Sequence, residues 1–184
     1  MRRRWDNTGM TLVEVLIACA LAVGLAAAAG AAAPGAIDRA RARQATAFLC
    51  SQLEWARAEA LGRGKAVGVV FGPDAEGTPV SVHVDGNGNG LRAAEVARGT
   101  DAAVSQPRRL DQLFPGVRIG EGTSTGVRLG GGRLLTFSPA GTATPGSIVL
   151  TGRDGSRYAV RVSGGTARIR TQRFNAVTGI WSDR

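Results

Sequence analysis

Residues Met10 to Ala33 form a run of 24 residues in which Glu14 is the one charged side chain. A helix of that length spans a hydrocarbon core about 30 Å thick. Three arginines and one aspartate precede it in "MRRRWDNTG", so the positive-inside rule puts the N-terminus in the cytoplasm and all that follows Pro34 on the far side. A secretory signal peptide shares the basic start and the small residues before Pro34. Its apolar centre, however, is only about 7–15 residues long. A plain membrane anchor accommodates the length but gives Glu14 no task. An acid deep in a bilayer is costly and usually functional.

Pro34-Gly35 is expected to kink or interrupt the helix, because proline removes a backbone hydrogen bond and clashes one turn back. From Ile37 the helical pattern resumes. Leu49, Leu53, Ala56 and Ala60 form one apolar stripe at four- and three-residue spacing, expected to dock on the protein's own sheet. Gly62 and Gly64 should end the helix.

After Lys65 the chain breaks into short β-branched runs over 65–71, 79–84, 116–120, 125–130, 133–138, 147–151, 157–163 and 166–174. Most of the 27 glycines fall in this half, where turns need them. The alternation predicts hairpins of an antiparallel, half-exposed sheet system. One short helical pattern, 91–99, interrupts the strands. Hydrophobic residues make up 43% of the chain, enough for a real core. The class is therefore α+β, a long N-terminal helix packed on an antiparallel β head. Its segments are a leader at 1–9, a transmembrane helix at 10–33, an amphipathic helix at 34–64 and a head at 65–184.

Catalysis is poorly supplied. His83 is the only histidine, placed in an alternating strand and expected to face solvent, and Ser138 lacks the Gly-x-Ser-x-Gly elbow. Cys19 and Cys50 would lie roughly 45 Å apart on one helix, too far to pair, and read as small buried apolar residues. The chain is not expected to be an enzyme. No cofactor is expected either, with one alternative. In "DGNGNG", Asp85, Asn87 and Asn89 alternate like the start of a calcium loop, yet Val96 stands at the twelfth position and Glu95 is one residue short. Asp-Gly and Asn-Gly pairs are also strong tight-turn signals, and a plain β-turn is favoured over calcium.

The net charge of +9 is uneven. Residues 108–184 carry 12 Arg against 4 acids, whereas 64–107 carry 3 basic residues against 5 acids. Arg161, Arg168, Arg170 and Arg173 lie in the last two strand runs, beside Arg157. Period-two alternation would give Arg168 and Arg170 a common face. Few aromatic residues accompany them, only Tyr158, Phe174 and Trp181, so phosphates rather than stacked bases would be the contact. A charged edge strand that resists aggregation explains the same pattern. Arginine outnumbers lysine 22 to 1 throughout, which weakens any special meaning of arginine here.

"GMTLVE" at Gly9–Glu14 resembles the prepilin motif of type IV pilins and type II secretion pseudopilins. Three later segments are similar to the GspH/FimT type: "SQLEWARAEALGRGKAVGVVF" (51–71), "LTFSPAGTATPGSIVL" (135–150) and "YAVRVSGGTARIR" (158–170). The last has Ala167-Arg168 where that family typically has Gly-Arg. The resemblance implies a pseudopilin fold, cleavage between Gly9 and Met10 by a prepilin peptidase, and methylation of Met10. It also gives Glu14 a role, pairing with the N-terminal amine of a neighbouring subunit, so that two buried charges offset one another. The implied setting is the bacterial inner membrane, with a periplasmic head and then a filament. The implied partners are other pseudopilins or pilins and exported cargo. Two functions stay open: a minor pseudopilin at or near the tip of a secretion pseudopilus, or a FimT-type minor pilin holding DNA for natural transformation.

Overall fold

The computed structural model describes residues 10–72, 78–120, 126–130 and 132–183, with the helical path but not the side chains of 28–33. Two compact units divide the chain, 1–37 and 38–184. Helix α1, Leu12–Arg63, contributes to both.

In the first unit α1 buries none of its described side chains. Leu12, Val13, Leu16, Ile17, Leu21, Val23 and Leu25 are all exposed. Cys19 is exposed with them, contrary to the expected burial, because nothing packs on this stretch. The helix also passes Pro34 uninterrupted. The alanine-rich flanks, the strongest helix formers, offset the single missing hydrogen bond. Among the described residues no helix is long and apolar enough to cross a membrane. The described apolar stretch stops at Ala27, because the side chains of 28–33 lie outside the description.

In the second unit the expected stripe does dock. Ala42, Ala45, Leu49, Leu53, Ala56 and Ala60 are fully buried in one core with side chains from both sheets. α1 ends at Arg63, and Gly64 takes the left-handed conformation (φ 64°) that closes a helix.

Every pairing in the sheets is antiparallel. The first sheet holds β1 (Val67–Phe71), β2 (Pro79–Val84), the two-residue β3 (Arg108–Arg109) and β6 (Leu134–Phe137), in the order β3-β2-β1-β6. Between β2 and β3 lies the short helix α2 (Ala93–Arg98), and α3 (Leu110–Leu113) is a single turn after β3. The second sheet holds β4 (Arg118–Ile119), β5 (Val127–Leu129), β7 (Gly146–Thr151), β8 (Arg157–Val162), β9 (Ile169–Asn175) and β10 (Ile180–Asp183). β7 to β10 form a meander, and β4 and β5 share the free edge of β7 end to end. That crowding needs glycine: a Cβ on Gly146 would lie 2.4 Å from the Arg128 carbonyl oxygen.

Alternation decides which face each residue of the second sheet presents. Ile148, Leu150, Tyr158, Val160 and Val162 are buried toward the core. Ser147, Val149, Thr151, Arg157, Ala159 and Arg161 point the other way.

Candidate functional site

Gly9 and the leader 1–9 lie outside the described residues. Met10 is exposed. Glu14 does not stand free at the helix start. Its Oε2 accepts hydrogen bonds from the Thr11 backbone N–H (2.9 Å) and the Thr11 hydroxyl (3.0 Å), while Thr11 Oγ1 accepts from the Glu14 N–H at 3.3 Å. This is a capping box, in which threonine and the glutamate three residues later satisfy each other's orphan backbone donors. Thr11 was the residue missed in the sequence, although Thr-x-x-Glu before an apolar run is the signature of that motif.

The "DGNGNG" segment, where a plain β-turn is expected, is a run of bends. It leads from β2 into α2, and two buried carboxylates hold it. Asp85 accepts from the backbone N–H groups of Asn87 (3.1 Å), Gly88 (2.8 Å) and Gly90 (2.8 Å). Asp101 accepts from those of Gly86 and Arg92, both at 3.1 Å. Each glycine has its reason. Gly88 and Gly90 have φ near 80–90°, and a Cβ on Gly86 would lie 2.1 Å from the Thr100 carbonyl oxygen. Burial alone would raise the Asp85 carboxyl, but the three N–H donors and the Lys65 charge outweigh it and hold the group below the usual range. Asn87 and Asn89 turn their side-chain amides to Glu95, at 3.5 and 2.9 Å. Among the described residues no group of three or more His, Cys, Asp or Glu side chains gathers as a metal site.

His83 is half-buried rather than solvent-facing. Its Nδ1 lies 3.1 Å from the Asp101 carbonyl oxygen and its Nε2 lies 3.0 Å from the Ser81 hydroxyl. A carbonyl only accepts, so Nδ1 carries a proton. The ring is an anchor for the loop between Asp85 and Asp101.

The four C-terminal arginines do not form one patch. Arg161 and Arg170 face each other directly across β8 and β9, and both are exposed. Arg173 pairs with Tyr158 and so falls on the opposite face of β9 from Arg170. Arg168 precedes β9, whose pairing with β8 begins at Ile169, and the expected common strand face with Arg170 is not formed within β9. Both arginines instead border a depression with Cys50, Glu54 and Asp183. Burial, helped by Glu54, pushes the half-buried Cys50 thiol up to about 11, which makes it a poor nucleophile at neutral pH. Two of the few aromatic residues expected near them pack on each other and under Arg157. The Arg157 guanidinium lies 3.6 Å over the Phe174 ring, and Phe174 meets Trp181 at 5.2 Å with a tilt of 57°. β10 causes this by bringing Trp181 opposite Phe174, a pairing invisible without that strand.

Residues 45–166 match the family model described as type II transport protein GspH. The chain belongs to this family, the GspH-type minor pseudopilins. Among solved structures, the minor pseudopilin EpsH from the type 2 secretion system of Vibrio cholerae is similar at 14% identity and a TM-score of 0.45, covering 70% of this chain and 92% of that one. No curated protein matches the chain.

Proposed function

We propose that this chain is a structural, non-catalytic subunit of a type II secretion pseudopilus, assembled at or near the filament tip with other pseudopilins and within reach of exported cargo. Residues 10–33 span the bacterial inner membrane once, with the head in the periplasm. A prepilin peptidase cleaves between Gly9 and Met10, Met10 is then methylated, and Glu14 meets the amine of a neighbour. The observation that carries this is the exposed apolar helix from Leu12 to Leu25 in a chain whose head belongs to the GspH family. Leucine, valine and isoleucine left open to this degree need lipid or neighbouring helices to cover them. In this reading the 85–90 loop shapes the sheet edge without calcium, since both Asp85 oxygens are already occupied by backbone donors.

Processing tests it. Co-expression with a prepilin peptidase should remove nine residues, read by intact mass, and Gly9→Val should block the cut. A mature terminus near Ala33 would instead mean a secretory signal peptide and would end the filament reading.

A further inference from the structure

The register of the second sheet makes neighbours of arginines far apart in the sequence. Arg128 on β5 faces Ser147 on β7, Ser147 faces Arg161 on β8, and Arg161 faces Arg170 on β9. Directly paired residues share a face, here the one turned away from the core. The line is about 14 Å long, three strand spacings. All three arginines are exposed. Among the described residues Arg170 has one ion-pair partner, Asp183 at 3.8 Å with both side chains at least half exposed, and Arg128 and Arg161 form no ion pair.

Like charges directly opposite on a sheet destabilise it, and Arg161 with Arg170 is such a pair. An anion laid along the line removes that cost. A second cationic margin runs parallel, about 14 Å along β8, where Arg118 faces Thr151 and Thr151 faces Arg157. Between the margins the floor runs from Val149, half-buried, through Ala159, which is buried, to the polar Gln172.

Guanidinium forks suit carboxylates and phosphates alike. Two details favour carboxylates on a polypeptide. The half-buried Val149 in that floor gives a small apolar contact to a segment that alternates acidic and apolar side chains. Phe174, the aromatic ring nearest that floor, has one side under Arg157 and Trp181 tilted against it, so a stacked base finds no flat platform.

We propose that Arg128, Arg161 and Arg170 form the docking line for an acidic segment of a neighbouring protein in the secretion assembly. The partner's identity rests on the pseudopilin reading; the chemistry of the line does not.

The full chain in neutral detergent, titrated by fluorescence anisotropy with a labelled peptide of alternating Glu and Val, tests it. A labelled DNA duplex of equal charge serves as the comparison, both at low and physiological salt. Arg128→Gln with Arg161→Gln and Arg170→Gln should weaken peptide binding about tenfold or more. Arg92→Gln with Arg98→Gln and Arg153→Gln removes the same charge elsewhere and should cost about twofold or less. The first variant should melt no lower than the parent, since it relieves opposed charges. Equal losses in the two variants, or no loss in the first, would overturn the docking line. Tighter binding of the duplex, lost in the first variant, would give the line to nucleic acid and overturn the protein partner. A chain cut correctly after Gly9 that shows either result leaves the pseudopilin reading standing and removes only the docking line.

Discussion

One helix serves two regions that treat the same side chains in opposite ways. Leu12 and Leu16, in the first unit, are 78% and 61% exposed, while Leu49 and Leu53, on the same helix in the second unit, are at 0%. The second unit supplies its own cover, two sheets whose inner faces meet the stripe. Among the described residues the first unit has none, and the proposed function gives that cover to lipid or other helices. Hydrophobicity alone therefore does not tell a core from a membrane or assembly surface. The spacing does: the head stripe is narrow and flanked by arginines, whereas Leu12 to Ala27 is apolar on every side except at Glu14.

The sharpest way to break this contrast is to separate the units. Residues 38–184 alone should fold cooperatively and stay in the soluble fraction, whereas the full chain should partition almost entirely into membranes or detergent, read by carbonate extraction. A soluble full chain would show that the exposed leucines need no cover. Next in size, Leu49→Ala should destabilise the head by about 2–5 kcal/mol in urea melts, because it leaves a cavity in a packed core. Leu16→Ala should leave the head's transition unmoved. Equal effects would deny that the units are energetically distinct.

A smaller effect belongs to the loop that closes the head. Asp85→Asn should cost about 1–3 kcal/mol by weakening bonds from buried donors. The folded carboxyl lies below its unfolded value, so its contribution is complete above about pH 4 and is lost as the pH falls through the folded value. The variant should accordingly flatten the acid limb of the stability profile. An unchanged limb would remove Asp85 from the account. Smallest of all, Ala167 is fully buried with φ at 48°, in the left-handed region. Ala167→Gly relieves about 1 kcal/mol of strain but gives up a buried methyl worth about 0.8 and adds unfolded-state freedom. The three nearly cancel, and calorimetry should find a net change within about 1 kcal/mol of zero.

Local pattern made much of the fold readable. β1, β2, β6, β7 and β8 coincide with β-branched runs, and the stripe from Leu49 to Ala60 named the buried helix face. The resemblance at Ala167 also had a physical basis, since glycine is the residue that enters that conformation freely. What could not be read was set by distant pairing. Arg128 joins Arg161 only because β5 chooses the edge of β7. Arg173 falls on the wrong face for the expected patch because the register of β8 and β9 is fixed elsewhere. β10 was missed because "IWSD" is short and follows a turn in which Asn175 Oδ1 accepts from the N–H groups of Val177 and Thr178. Pro34 does not interrupt the helix, because good helix formers around it outvote one missing donor.

The capping box at Thr11 and Glu14 bears on how a filament could come apart as well as grow. Under the proposed pairing, an incoming subunit's amine would not meet an idle carboxylate. It would meet one already held by two donors of its own helix. Pairing is then an exchange of partners rather than a pure gain, and the same two donors stand ready to take the carboxylate back when the neighbour leaves. In the proposed assembly, a subunit built this way would join with a smaller net driving force, because each bond to a neighbour replaces one that its own helix already makes.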